Sequence, residues 1–272
     1  MIRIRLAFSF LTIIPVRGPD PIDRRLAGNA MTVAPLVGFV LGFVAASVVI
    51  ALRILVGSEG QTLIPAVAGI AVLALLTRGL HLDGLADLAD GLGASRDPER
   101  SLAVMKQPDI GAFGAATMVF VVLGQVAALE AAIAEHRGTV SLILAVTVSR
   151  LAVTWACLPG APAARPGGLG ALVAGSVRPV PAGIATVLVA LGAAFAGLND
   201  FHGGRPGEAI QAVLALAATL LVTMVLRAHL VHRLGGVTGD VFGALIEVAT
   251  LVTLLAMAVH LPLRIRDALD LP

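Results

Sequence analysis

Residues 32–52 read TVAPLVGFVLGFVAASVVIAL and contain no Lys, Arg, Asp or Glu. The windows Gly111–Leu129 and Gln211–Val225 are also free of these four residue types. A helix of roughly 20 apolar residues is long enough to cross a hydrocarbon core about 30 Å thick. The 272-residue chain is 58% hydrophobic and only 13% charged, whereas a soluble domain is about 25% charged. The sequence therefore predicts an all-α, polytopic integral membrane protein embedded in the lipid bilayer.

Composition and pattern argue against other classes. A soluble all-α protein of this length would need several helices that are buried on every side. A membrane β-barrel would show alternating rather than continuous apolar residues. The single cysteine, Cys157, excludes an internal disulfide. Basic and aromatic residues are not interleaved, so we expect no binding to nucleic acid.

We expect six to seven spans in a single membrane-embedded domain over residues 1–272. Residues 1–16 lack a small-residue cleavage pattern, so they predict a retained, short interfacial or re-entrant helix rather than a signal peptide. Small residues are abundant on the spans, which is compatible with a homo-oligomer, but no pattern specifies one. The apolar segments after this helix are Met31–Val56, Thr62–Leu80, Gly111–Ala134, Val140–Leu158, Pro181–Leu198, Glu208–Leu230 and Val241–Leu261.

Basic residues are divided unequally between the two sides of a seven-span arrangement. Thirteen lie on the side of the N-terminus and five on the other, with Arg150 inside a span. Because cytoplasmic loops are rich in Lys and Arg, this bias predicts a cytoplasmic N-terminus in the cell (inner) membrane. The polar loops Arg78–Gly111 and Gly235–Asp240 fall on the same side, so we expect a cytoplasmic active site.

The stretch His81–Gly91, HLDGLADLADG, concentrates three carboxylates in a chain that otherwise avoids charge. On a helix, Asp83, Asp87 and Asp90 are spaced i, i+4 and i+7 and fall within roughly 60° of one another. Mg²⁺ takes oxygen ligands and usually shares them with a substrate phosphate. The motif therefore predicts a Mg²⁺ site formed by the three aspartates. The alternative is a solvated helix face, although such faces usually mix charges of both signs.

Basic side chains in the same polar stretch are candidates to bind the substrate. Arg78, Arg100 and Lys106 are placed to neutralise phosphate oxygens while the carboxylates hold the metal. His81 is close to Asp83 in sequence but lies roughly 160° away around a helix. It therefore ranks below the aspartates as a candidate.

A second motif, LGGVTGDVFGA, covers residues 234–244. Its glycines, including Gly236, allow backbone amides to face a phosphate, and Thr238 or Asp240 is placed to reach a metal or a nucleophilic hydroxyl. The alternative is a glycine-rich turn with Asp240 as the N-cap of the last span. Glu247 lies inside that span, where a carboxylate is either functional or the partner of Arg150.

Four motifs in order along the chain resemble one family. They are FLTIIP at 10–15, RGLHLDGLADLADGL at 78–92, MK with IGAFG within 105–114, and GGVTGD at 235–240. They resemble the adenosylcobinamide-GDP ribazoletransferases, also called cobalamin (5′-phosphate) synthases. One departure lies at residues 105–111, MKQPDIG, where the family often has MKDSRIG. The resemblance therefore implies no functional role for Gln107, and it does not decide whether Asp109 is a site residue.

The resemblance implies a cobalamin synthase-like, Mg²⁺-dependent enzyme. It would join adenosylcobinamide-GDP to α-ribazole, or its 5′-phosphate, giving adenosylcobalamin, or its 5′-phosphate, and GMP. Attack of a ribose hydroxyl on a pyrophosphate depends mainly on positioning and charge neutralisation. The metal ligands would be Asp83, Asp87 and Asp90. The catalytic candidates are Asp87, Asp90, Asp240 and Lys106, and the substrate-binding candidates are Arg78, Arg100, His81, Gly236 and Thr238.

Two other functions share some of these sequence features. A CDP-alcohol phosphotransferase-like lipid enzyme also uses spaced aspartates on membrane helices, but the Ala-Arg pair that usually adjoins its Asp-Gly is missing here. A secondary transporter would use Arg150 and Glu247 as coupling residues, but it predicts inverted repeats and paired broken helices, which the sequence does not show.

Overall fold

A computed structural model describes residues 1–14, 16, 21–57, 61–199 and 206–259. In these residues one isolated parallel β-bridge joins Ala163 to Val237, and all other regular structure is helical. The helices are α1 (Ile2–Leu11), α2 (Arg24–Thr32), α3 (Ala34–Val56), α4 (Leu63–Leu76), α5 (Leu80–Ala94), α6 (Pro98–Val104), α7 (Ala112–Ala134), α8 (Gly138–Ala156), α9 (Gly168–Val173), α10 (Pro179–Leu198), α11 (Pro206–Leu234) and α12 (Gly239–Ala258).

In the part of the chain that the structure describes, six helices are long and apolar enough to cross a membrane, namely α3, α7, α8, α10, α11 and α12. They confirm the predicted all-α, polytopic membrane protein. The most apolar window of α8 is 72% buried, whereas that of α10 is 17% buried. Helix α8 is therefore central, between α3 and α12, and α10 lies at the periphery against α11. The predicted end of the last span at Leu261 lies outside the described residues.

The predicted second span, Thr62–Leu80, is not a straight helix. Helix α4 has 14 residues, or about 21 Å at 1.5 Å per residue, and α5 follows at an angle of 88°. The two helices therefore cannot both run parallel to the membrane normal. Arg78 and Gly79 have φ values of 54° and 66°, and the Gly79 N–H donates to the Ala74 carbonyl at 2.8 Å. This left-handed termination ends α4 and lets α5 begin in a new direction.

The short N-terminal helix is present as predicted. Helix α1 buries Leu6, Ala7 and Leu11 and packs against α2 and α3. The Ile13 N–H donates to the carbonyl of Leu76 at 2.9 Å. The segment after α1 is therefore bonded to the end of α4, just before the α4–α5 bend.

Helices α5 and α6 occupy the predicted polar loop between Arg78 and Gly111. Helix α5 packs on α12 and α7. Helices α5 and α12 are antiparallel where they touch, because His81 adjoins Gly243 whereas Gly84 adjoins Asp240. The C-terminal half of α5 reaches the start of α7, where Gly114 adjoins Asp90. The acidic helix therefore extends from inside the bundle to the end of the bundle where α7 and α12 begin.

The predicted loop between Pro159 and Arg178 contains the short helix α9 and docks on the glycine-rich turn before α12. The Val237 N–H donates to the Pro162 carbonyl at 2.8 Å, and the Ala164 N–H donates to the Val237 carbonyl at 3.0 Å. This close approach requires a glycine at position 236, because a Cβ there would lie 2.5 Å from the Pro162 carbonyl oxygen. The loop is thereby fixed next to the first turn of α12.

Candidate active site

The acidic face of α5 meets the first turn of α12. A Cβ on Gly84 would lie 2.9 Å from both the Cα and the carbonyl oxygen of Asp240, so the two backbones are in contact. Asp83 precedes Gly84, and Asp87 lies one helical turn further along the same face. The structure therefore brings together the two polar motifs, which are about 150 residues apart in the sequence.

Asp87, on a helix outside the six candidate spans, is partly buried and lies near several other carboxylates. The pKa of Asp87 is raised to about 6, first by burial and then by the negative charges of Asp83, Asp240 and Asp90, while Arg165 acts in the opposite direction. A carboxylate is harder to ionise when like charges surround it. An additional cation would offset this repulsion.

Thr238 orients Asp240 at the start of α12. The Thr238 hydroxyl donates to Oδ2 of Asp240 at 3.1 Å and accepts from the Val241 N–H at 3.3 Å. Thr238 is therefore the N-cap of α12, and the alternative assignment of the cap to Asp240 is wrong. Asp240 lies in the first turn instead, so its carboxylate is oriented by a neighbouring side chain and is not used as the cap.

Asp90 makes a different set of contacts from Asp83 and Asp87. Its side chain is buried, its Oδ2 accepts from the Gly111 N–H at 2.7 Å, and its Oδ1 accepts from the Gly114 N–H at 2.8 Å. These two N–H groups belong to the N-terminus of α7, which has no side-chain cap of its own. Asp90 therefore supplies that cap from α5, and both of its oxygens are engaged.

The remaining carboxylates fit Mg²⁺ that is shared with a substrate. In the described part of the chain, no three His, Cys, Asp or Glu side chains are grouped to hold a metal ion by themselves. Mg²⁺ usually takes one or two carboxylates and completes its octahedron with water and phosphate oxygens. Asp83, Asp87 and Asp240 are oxygen-donor, negatively charged residues of the kind that such a shared site would use. The geometry suits a metal that binds together with a phosphate.

Arg165 is a candidate site residue that sequence reasoning missed. It interacts electrostatically with both Asp87 and Asp240, and its Nη2 donates to the backbone carbonyl of Leu102 on α6. Its sequence context is a Gly-, Pro- and Ala-rich loop without another charged residue between Pro159 and Val177. That isolation is the only signal in the sequence that could have marked it.

The basic residues predicted to bind phosphate make no side-chain hydrogen bonds or ion pairs of the kind that would fix them at the site within the described residues. Arg78, Arg100 and Lys106 are exposed, and their side chains make no hydrogen bond or ion pair within the described residues. Their substrate-binding and catalytic roles stay predictions. His81 is only 3% exposed, and neither ring nitrogen has a hydrogen-bond partner among the described residues. Its present position therefore gives a substrate no access to the imidazole.

Two further predicted polar residues lie inside the bundle. Oε2 of Glu247 accepts a hydrogen bond from Nε2 of Gln125 at 2.8 Å, and Nη1 of Arg150 donates to the Ser149 hydroxyl at 3.0 Å. Arg150 and Glu247 line one small cavity, but within the described residues they do not form a direct ion pair. Glu247 is therefore held by the amide of Gln125, and the expected direct pairing with Arg150 is not formed among the described residues.

Comparison with known proteins places the chain in a family. Residues 3–258 match the model of the family described as cobalamin-5-phosphate synthase. The chain belongs to the cobalamin-5-phosphate synthase family. The resemblance inferred from the motifs is thus confirmed, and it extends over nearly all of the chain.

Relatives of this family member are similar along their whole length. The adenosylcobinamide-GDP ribazoletransferase of Frankia casuarinae is 52% identical over 276 residues, covering 100% of this chain and 99% of the relative. The protein of the same description from Nocardioides sp. is 39% identical, covering 93% and 97%, and that from Syntrophobacter fumaroxidans is 39% identical, covering 93% and 96%. No solved structure matches the chain.

Proposed function

We propose that this member of the cobalamin-5-phosphate synthase family joins adenosylcobinamide-GDP to α-ribazole, or to α-ribazole 5′-phosphate, and releases GMP. The activity named for its relatives supports the substrates. The observation that carries the chemistry is the backbone contact of Gly84 on α5 with Asp240 on α12, which brings the charge of Asp240 close to Asp87. Carboxylates that can hold a metal and a nearby arginine are recurring parts of phosphoryl-transfer sites.

The reaction forms one P–O bond and breaks another. The ribose hydroxyl oxygen attacks the phosphorus that is linked to the cobinamide, and the pyrophosphate P–O bond to the GMP moiety breaks. The hydroxyl proton passes to a base, and GMP leaves with the electron pair of the broken bond. The product is adenosylcobalamin, or its 5′-phosphate when the acceptor is phosphorylated.

The side chains of this chain have distinct tasks in the proposed reaction. Asp83 and Asp87 would hold Mg²⁺, which would supply charge neutralisation for the pyrophosphate. Asp240 accepts the hydroxyl proton through the carboxylate oxygen that Thr238 leaves free, and Thr238 keeps this carboxylate oriented. Asp90 positions α7 against α5 rather than contacting the substrate.

We place the protein in the cytoplasmic membrane with this site on the cytoplasmic face. Helix α5 ends, and α7 and α12 begin, at the same end of the bundle, together with basic residues that include Arg96, Arg100 and Lys106. An excess of Lys and Arg marks the cytoplasmic side of bacterial-type membrane proteins. A cytoplasmic site suits a substrate that carries GDP.

The test is GMP release by purified protein in detergent or lipid nanodiscs, given adenosylcobinamide-GDP, α-ribazole and Mg²⁺. We expect Asp87→Asn to lower the rate by about 100-fold or more, because metal-assisted charge stabilisation is worth several kcal/mol. The matched control is Glu99→Gln, an exposed carboxylate in the first turn of α6, which should keep the wild-type rate. Near-normal activity of Asp87→Asn with an unchanged Mg²⁺ requirement would contradict the metal assignment.

A further inference from the structure

Arg165 has a backbone position fixed relative to Asp240. It follows Ala164, whose N–H donates to the Val237 carbonyl at 3.0 Å, and Val237 in turn donates to Pro162. Val237 is three residues before Asp240, so the two segments form one rigid corner. After Arg165 the chain turns through Gly167 and Gly168, with φ values of 93° and 75°.

The guanidinium of Arg165 is anchored by one hydrogen bond, which leaves most of its N–H donors available. One of its five N–H donors bonds to the Leu102 carbonyl of α6. Within the described residues the other donors make no hydrogen bond or ion pair, and the side chain is partly exposed. Arg165 is therefore held in place by α6 with most of its donors free for a ligand.

The charged side chains near Arg165 indicate the chemical class of that ligand. Arg165 influences the carboxylates of both Asp87 and Asp240, yet it pairs directly with neither within the described residues. A guanidinium separated from carboxylates by a gap matches a site where a metal and a phosphate lie between them. Arginine binds phosphate through two parallel N–H donors, which lysine cannot do.

We propose that Arg165 is a catalytic residue that binds the diphosphate of a nucleotide-linked substrate from the side opposite to Asp83 and Asp87. It stabilises the negative charge that develops on the departing nucleoside monophosphate. This inference rests on the function proposed above, and it assigns the principal phosphate contact to Arg165 and not to Arg78, Arg100 or Lys106.

The experiment compares Arg165→Gln and Arg165→Lys with Arg96→Gln, whose exposed side chain, two residues after the end of α5, makes no hydrogen bond or ion pair within the described residues. We expect Arg165→Gln to lower kcat for GMP release by about 100- to 1000-fold, the usual loss for a transition-state donor. Arg165→Lys should recover only part of this loss, because it lacks the bidentate contact. Arg96→Gln should match the wild type.

A binding measurement separates this inference from the proposed reaction. Isothermal titration of each variant with GDP in the presence of Mg²⁺ should show weaker binding for Arg165→Gln, by about tenfold or more, and wild-type binding for Arg96→Gln. If the wild type releases no GMP, the proposed reaction fails and GDP binding alone decides the role of Arg165. If Arg165→Gln does not fold, Arg165→Lys decides. A folded Arg165→Lys or Arg165→Gln that keeps wild-type kcat and GDP affinity overturns the inference.

Discussion

Replacing Gly84 by alanine tests the contact on which the site is built. A Cβ at this position would lie 2.9 Å from the Asp240 Cα and from its carbonyl oxygen, whereas ordinary contacts begin at 3.4 Å. Both neighbouring atoms are backbone, so no flexible side chain can move aside. Helices α5 and α12 must therefore separate by about 0.5 Å or more for the added methyl group to fit.

The cost of this separation should fall mainly on catalysis. A displacement of about 1 Å between reacting groups lowers a rate by about 100-fold, so we expect Gly84→Ala to lose about 10- to 100-fold in GMP release. The overpacking cost of about 1–3 kcal/mol is partly offset by the gain of up to about 1 kcal/mol when alanine replaces glycine in a helix. With the full gain of about 1 kcal/mol, the net loss of stability should therefore be about 0–2 kcal/mol.

Gly183→Ala on α10 is the matched control for this substitution. Gly183 is also within a helix, but a Cβ there would meet nothing within 4 Å. We expect wild-type GMP release and equal or slightly higher thermal stability, measured on the same detergent preparation. A folded Gly84→Ala variant with the activity of Gly183→Ala would refute the close packing of α5 on α12.

Two further predictions concern helix caps. Asp90→Ala removes the acceptor of the Gly111 and Gly114 N–H groups, so it should lower the free energy of unfolding by about 1–3 kcal/mol, seen as a lower Tm. An unchanged Tm would contradict the capping role. Thr238→Ala should cost about 1 kcal/mol and also lower kcat by releasing Asp240, whereas Thr238→Ser should restore both. Equal kcat values in the alanine and serine variants would show that Thr238 does not orient Asp240 for catalysis.

The helical membrane architecture was predictable because charge-free apolar runs have few stable alternatives in a bilayer. The bend between α4 and α5 was not, because it depends on Arg78 adopting a left-handed conformation that non-glycine residues rarely take. Gly79 alone marks the position as a helix end, but it does not fix the direction in which the next helix leaves. Hydrophobicity over Thr62–Leu80 therefore predicted a straight span.

The shared face of Asp83 and Asp87 followed from helical periodicity alone, because their spacing is local. The role of Asp90 did not, since its partners are backbone N–H groups 21 and 24 residues away, and backbone groups leave no side-chain signature. Arg165 was missed for a related reason. It reaches the site only because Gly236 lets two loops pair through their backbones, a contact that no local pattern encodes.

Helix N-termini stabilise the negative charge of most of the four aspartates that lie close together in the site. Negative charge near a helix N-terminus is stabilised by about 0.3–1 kcal/mol. Asp83 and Asp240 lie in the first turns of α5 and α12, and Asp90 caps α7. Asp87 lies in the middle of α5 and has no such support, and its pKa is raised to about 6 by burial and by its acidic neighbours. In the proposed site Asp87 is therefore the carboxylate without helix-end support, and its substitution should change the Mg²⁺ requirement more than that of Asp90.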